Sequence, residues 1–350
     1  MMRSTLPSAR HLRAGHRLRR ATPLLVAAAT AAAVISTVTA GTGSPAGAMT
    51  TKVSGAFTNN GPSGQNAFGT WRARPDGLAM AFAPGGYWSD IELPSTWISY
   101  WSKSTYRTKM LISLPMLPNK VSSSLATGAT GSYDAHFRTA AQRLVNAGMG
   151  NAIIRVGWEF NGGWYKWSAK SNPSGYAAYY RHIVNAMRSV SGQSFRFVWS
   201  VSNGYYGWDP RTAWPGNSYV TYVGVGVYDA WWRHPDATPA QRWNVIVNCT
   251  SSTALGGLDF WTQFAAGKGK PLGFPEWGLV NKYAPMAGGS YGGGGGDDPY
   301  FVKQMYYWVQ NHNVAWESYF NADAGDGYHR LDNGRYPNAA ATYRQLFGGA

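Results

Sequence analysis

Residues 152–192, AIIRVGWEFNGGWYKWSAKSNPSGYAAYYRHIVNAMRSVSG, place a strand, a turn rich in glycine and tryptophan, and a helix in one continuous pass. The run 152–160 is almost continuously apolar rather than apolar on alternate residues, the pattern of a strand covered on both faces. Asn172-Pro173 then supplies an N-cap followed by proline at the first helical position. Apolar residues recur through Tyr180 and Met187 as far as a stop at Gly192. A buried strand feeding an amphipathic helix is the repeating unit of a parallel α/β sheet.

The same unit recurs on either side. Short apolar runs rich in β-branched and aromatic residues fall at 53–57, 78–83, 110–116, 152–160, 195–201, 220–228, 271–277 and 314–320. Asp134 opens a helix that runs past Leu144 to Gly148, and Asp298-Pro299 repeats the start signal ahead of residues 301–310. Residues 258–266 and 341–347 read as shorter helices. Eight strand runs in about 300 residues predict an α/β fold of the (β/α)8 TIM-barrel type, a single domain, because such barrels take ~250 residues plus loop insertions. A doubly wound open sheet would carry a glycine-rich phosphate turn after its first strand, and Phe57-Thr-Asn-Asn-Gly-Pro does not supply one. The glycine-rich stretch 288–296, between the seventh strand and its helix, reads as a flexible insertion or as a flap over the mouth.

Composition narrows the class. The chain has 350 residues, 15% aromatic against 13% charged, which excludes a disordered chain and a coiled coil. Its net charge is +15, but Arg3, Arg10, Arg13, Arg17, Arg19 and Arg20 precede an apolar run at 23–35 and a small-residue exit ending at Ala48. That order predicts a secretory leader at 1–48, cleaved after Ala40 or Ala48, and a catalytic domain at 49–350. The apolar run is too short for a membrane span, which needs roughly 20 residues. Without those six arginines the surplus falls to +9 and is scattered. The expectation is therefore a secreted, extracellular monomer with no nucleic-acid partner and, once the leader is removed, no membrane. Cys249 is the only cysteine, which forbids an internal disulfide and a cysteine-based metal site. His136, His182, His234, His312 and His329 show no metal-ligand spacing, so neither metal nor cofactor is expected.

In a barrel the chemistry sits at the C-terminal ends of the strands. Glu159 ends the fourth strand and Glu276, in Gly273-Phe-Pro-Glu-Trp-Gly278, ends the seventh. Each is wedged between apolar neighbours, where an unpaired carboxylate is costly. Two such carboxyls facing each other are what glycoside hydrolysis with retention requires: a nucleophile and an acid/base about 5–5.5 Å apart. Aromatic residues crowd the same strand ends: Trp158, Trp164, Tyr165 and Trp167, then Tyr205, Tyr206 and Trp208, then Tyr228, Trp231 and Trp232, and finally Trp277, Trp316 and Tyr319. Sugar rings stack their C–H faces on such side chains, so a polysaccharide is the expected partner. Asp90, Glu92, Asp209 and Asp229 read as turn or solvated residues with a lesser prospect of lining distal subsites, and Glu317 as facing the helix layer beside a basic residue.

The segment Arg155-Val-Gly-Trp-Glu-Phe-Asn-Gly-Gly-Trp-Tyr-Lys-Trp167 resembles the fourth-strand motif of glycoside hydrolase family 26, in the barrel clan A, best known for endo-β-1,4-mannanases. Pro-Glu-x-Gly around Glu276 is similar to that family's seventh-strand motif. The resemblance implies Glu159 as general acid/base, Glu276 as nucleophile, Arg155 beneath the site as its charge partner and Tyr228 as a hydrogen-bond donor to it. It implies Trp164, Trp167 and Trp316 as sugar-stacking walls. Trp158, Asn161, Trp208, Trp232 and Trp277 complete the expected substrate contacts. Trp158 stands where the family usually has His, so the substrate stays open among β-mannan, mixed-linkage β-glucan and β-xylan. A non-catalytic barrel that binds cell-wall glycan is the alternative from another class.

Overall fold

A computed structural model describes residues 52–349 apart from 60, 232–236, 250–254, 283, 286–290 and 326. The expected leader at 1–48 therefore lies outside the described residues. Eight parallel strands follow the chain: β1 (Val53–Phe57), β2 (Leu78–Phe82), β3 (Met110–Leu114), β4 (Ile153–Val156), β5 (Arg196–Ser202), β6 (Tyr222–Trp231), β7 (Leu272–Leu279) and β8 (Val314–Phe320). Each pairs with its neighbours, β8 pairs with β1, and the ring is complete: a (β/α)8 barrel, as expected. The helices Asp134–Asn146, Pro173–Arg188 and Pro299–Asn311 fall where the start signals put them, and Leu258–Gly267 matches the shorter helix expected at 258–266. Pro337–Phe347 starts four residues earlier than expected, with Pro337 at its first position. Gly61–Trp71, Ser95–Ser102 and Pro239–Asn248 had no expected counterpart.

β4 stops at Val156 instead of running on to residue 160. Gly157 turns left-handed at φ +52°, a conformation that costs glycine nothing, and ends the strand one residue on. Alternation then sorts the side chains. Leu78, Met80, Leu111, Ile153, Val198 and Trp316 share the inward parity and form one buried cluster at the lower end of the barrel. Fully burying each stabilises the fold by about 1.5–3 kcal/mol. One layer higher, on the same parity, come Ser113, Arg155 and Ser200, and above them the mouth.

On the helix-facing side lies a buried charge cluster. Arg72 pairs with Asp76 at 2.6 Å, both fully buried, and donates to Ser54 Oγ at 2.7 Å. Glu317 accepts from the Trp277 indole at 2.6 Å and faces the helix layer, as expected. Burial pushes the Asp76 carboxyl up to about 7 against the pull of Arg72, and burial also raises Glu317. Carboxyls raised in this way hold protons in the folded chain that the unfolded chain has released. Their stabilising contribution is complete below the usual carboxylate range and is lost as pH rises towards 7. Thermal unfolding by calorimetry is expected at a higher temperature at pH 5 than at pH 8, by about 3 °C or more.

Candidate active site

The local backbone aims the first carboxylate. After the turn at Gly157, Glu159 is itself left-handed at φ +51°, and its N–H is held by Ser200 O of β5 at 2.9 Å. A non-glycine residue in that region is strained and is found where the surrounding structure demands it. Here the double reversal swings the side chain across β5 towards β6. Glu159 Oε2 accepts from the Trp164 indole at 2.9 Å. Its Oε1 lies over Gly226 of β6, where a β-carbon would be 3.4 Å away. Gly226 is the register partner of Glu276, so both carboxylates come to the same point of the mouth.

Glu276 faces inward from β7 and is nearly buried. Arg155, fully buried, donates Nη1 to Glu276 Oε2 and is itself fixed by Nε to Ser200 Oγ at 2.9 Å and Nη1 to Ser113 Oγ at 3.4 Å. The Tyr228 hydroxyl donates to Glu276 Oε1 at 2.8 Å. Each oxygen thus has its own donor, which fixes the plane of the carboxylate; charge-assisted bonds of this kind are the strong ones. The ring of Tyr228 rests against Phe320 and against His329, whose Nδ1 donates to Leu279 O at 2.6 Å.

Around the pair runs an arc of rings. Phe320 meets Phe57 at 4.9 Å between centroids, Phe57 meets Phe82 at 5.0 Å, and Phe82 meets Trp158 at 5.2 Å. Trp158 continues to Tyr165, also at 5.2 Å, and lies 5.9 Å from the Arg155 guanidinium. Burial raises the Tyr165 hydroxyl above its ordinary range, and the charges of Glu159 and Glu276 push it further the same way. Burial likewise pushes Tyr206 up to about 12, opposed by its bond to Ser202 and assisted by Glu159. Both tyrosines keep their protons at neutral pH and so remain hydrogen-bond donors beside the acids.

Of the residues expected to touch substrate, Arg155, Trp158, Trp164 and Tyr228 surround the carboxylates. Trp164 is 52% exposed and forms the open rim. Trp316, Trp277, Trp167 and Asn161, all buried, are corrected by the structure. Trp316 shares the inward parity of Phe320 but lies four residues below it, roughly 13 Å at strand rise, and plugs the lower barrel. Trp277 has the opposite parity to Glu276 and packs among Tyr319, Tyr343 and Phe347 under the helices. Trp167 is buried behind Tyr165, stacked at 4.7 Å, with its indole donating to Trp158 O. Asn161 bridges both backbone groups of Ser202 at 2.8 Å, and its own carbonyl accepts from the half-buried Trp208. Those two fasten the loop to β5. Trp232 lies outside the described residues.

The four acids with a prospect of lining subsites are all engaged within the chain. Asp90 accepts from the Tyr87 N–H, Glu92 bonds His136, Asp209 pairs with Arg211, and Asp229 pairs with Arg242. Phe57, Phe82, Phe320 and His329 were not anticipated. The first three are the last residues of β1, β2 and β8, and the strand-end rule that found Glu159 and Glu276 applies equally to them. Among the described residues no three His, Cys, Asp or Glu side chains converge as a metal site requires.

Gly226 gives a direct check on this geometry. Gly226→Val would crowd Glu159 Oε1 and is expected to lower kcat by roughly 100-fold, the scale of a 1 Å misplacement. Gly226→Ala, whose β-carbon just fits, is expected to stay within a few-fold. Steady-state rates with unfolding midpoints in parallel separate displacement from loss of fold.

Residues 132–258 match the family model described as Glycosyl hydrolase family 26; the match includes Arg155, Glu159 and Tyr228 and stops short of Glu276. A comparison with curated proteins finds no match. Among solved structures, a modular endo-β-1,4-mannanase from Cellulomonas fimi is similar at TM-score 0.53 and 17% identity, over 78% of this chain and 63% of that one. The catalytic domain of the Bacillus sp. JAMB-750 family 26 endo-β-1,4-mannanase also gives 0.53 and 17%, over 79% and 78% of the two chains. A Bacillus subtilis mannanase gives 0.51 and 14%, over 85% and 86%. At these identities the structural likeness is one of fold, and this chain spans under two thirds of the Cellulomonas enzyme. With the family match over the Glu159 motif and the shared barrel fold, the chain is similar to glycoside hydrolase family 26.

Proposed function

We propose that the chain is a secreted, retaining endo-β-glycosidase that cleaves β-mannan or a closely related β-glycan. The observation that carries this reading is the pair of glutamates meeting over Gly226, one gripped by Arg155 and Tyr228, the other held by the Trp164 indole and its own backbone. The two environments suit two roles. Glu276, oriented and charge-paired, attacks the anomeric carbon. The glycosidic C–O bond breaks, and its oxygen takes the proton carried by Glu159. A water molecule then gives its proton to Glu159 while its oxygen displaces Glu276 from the same carbon, so configuration is retained. Trp164 at the rim offers an apolar face to a sugar beside the cleavage point.

Incubation with β-mannan, mixed-linkage β-glucan, β-xylan and arabinose-containing polymers tests this, with NMR of the first-formed anomer and sizing of products. Retained configuration and a ladder of oligosaccharides from a β-glycan are expected. An inverted first product, or binding without cleavage of any polymer, overturns it.

A further inference from the structure

The proposed chemistry leaves one buried ion cluster unused. Asp229, the residue after Tyr228, points to the opposite side of β6, where Arg242 of the helix Pro239–Asn248 donates Nε to Asp229 Oδ1 at 2.8 Å and Nη2 to Oδ2 at 3.4 Å. The same Nη2 also binds Asp298 Oδ2, and Nη1 donates to Ala237 O at 2.6 Å. Asp298 caps the helix Pro299–Asn311: its Oδ1 accepts from the N–H groups of Tyr300 at 2.9 Å and Phe301 at 3.1 Å. All three side chains are at most 5% exposed. One guanidinium therefore ties the end of β6 to the starts of two helices.

The glycine-rich stretch is part of this assembly. Gly293 and Gly294 pair antiparallel with Trp231 and Ala230, and the Gly295 N–H binds Asp229 O at 3.1 Å. A β-carbon at Gly295 would collide with Asp229 Oδ2 and Arg242 Nη2. Its described part is thus a fitted cover rather than a free insertion. Among the described residues the strand makes no further parallel pairing with β7 beyond Asp229, so its end depends on this cluster and on the glycine strand.

We propose that Arg242 is a positioning residue for the reaction: by holding Asp229 against Asp298 it fixes the end of β6, and thereby seats the Tyr228 hydroxyl on Glu276. The proposal rests on the assignment of Glu276 as nucleophile. Two acids on one guanidinium leave the cluster short of positive charge. Burial and Asp298 push Asp229 up while Arg242 pulls it down, and Tyr336 is the further titratable group facing it. The groups facing Glu276 itself are Arg155 and Tyr228, with Glu159 across Gly226 and Tyr165 beside them.

The test is a double-mutant cycle on the full chain, with Arg242→Met and Tyr228→Phe, and Asp298→Asn as a gentler second lesion. If the cluster acts through Tyr228, Arg242→Met lowers kcat about tenfold or more with KM little changed. The acid limb of the pH profile moves up, because Glu276 loses a donor to its ionised form. Arg242→Lys restores part of the rate, and once Tyr228 is Phe the Arg242 lesion adds little. Additive effects with an unmoved acid limb overturn the proposal, and Asp298→Asn, read in the same cycle, decides the question should Arg242→Met not fold. A parent chain inactive on every glycan would instead fail the functional reading beneath it, so the two failures are distinguishable.

Discussion

Glu276→Ala is expected to abolish turnover, with kcat falling by ~10^4-fold or more, the scale seen when a covalent nucleophile is removed. The variant is expected to be less stable as well, because the fully buried Arg155 loses its charge partner while keeping Ser113 and Ser200, so unfolding midpoints are read in parallel with the rates. Azide provides the decisive readout. The alanine leaves room for a small anion beside the Arg155 guanidinium, and azide attacking from that side of an activated aryl glycoside gives a glycosyl azide of inverted configuration. Partial rescue with inversion assigns Glu276 as nucleophile. Rescue with retention would transfer that role to another carboxylate.

Glu159→Gln has the second-largest expected effect and a different signature. Amide for carboxyl keeps the bond from Trp164 and the strained backbone, so the fold is undisturbed. Loss of proton transfer should cost ~10^2–10^4 in kcat on a polysaccharide, whose leaving oxygen needs a proton. On an aryl glycoside with a good leaving group the first step should remain nearly unimpaired, with a burst of phenol followed by slow release of sugar. The basic limb of the pH profile should disappear as well, since Glu159 is the group whose proton is lost there. A uniform loss on both substrates with an unchanged profile would show that Glu159 is structural.

How much of this was legible before the structure depends on parity. The barrel was, because eight continuous apolar runs each needed two covered faces. So was the meeting of the two glutamates at one mouth, although Glu159 lies in the turn after β4 and Glu276 three residues before the end of β7. What failed was the step from position along a strand to the direction of the side chain. Trp277 adjoins Glu276 in sequence and for that reason faces away from it, and Trp316 has the right parity but the wrong height. Continuous hydrophobicity hides parity, since inward and outward positions are equally apolar, and only a polar residue such as Arg155 or Glu276 reveals which is which. The fastening role of Asn161 was equally hidden, because it depends on Ser202, forty-one residues away. The cover formed by Gly293–Gly295 was read as low complexity, because glycine's reason for being there is the absent β-carbon.

The pair of left-handed residues at the end of β4 has a consequence for transfer of the activity to other scaffolds. Gly157 and Glu159 reverse the chain twice within three residues, and the acid reaches Gly226 only because of both reversals. Grafting Trp-Glu-Phe-Asn onto the end of a strand in another barrel would reproduce every side chain and still aim the carboxyl elsewhere. What must be carried across is a backbone shape, together with the Ser200 carbonyl that catches it. A designer working on this barrel therefore has wide freedom in the aromatic rim and almost none in three peptide units.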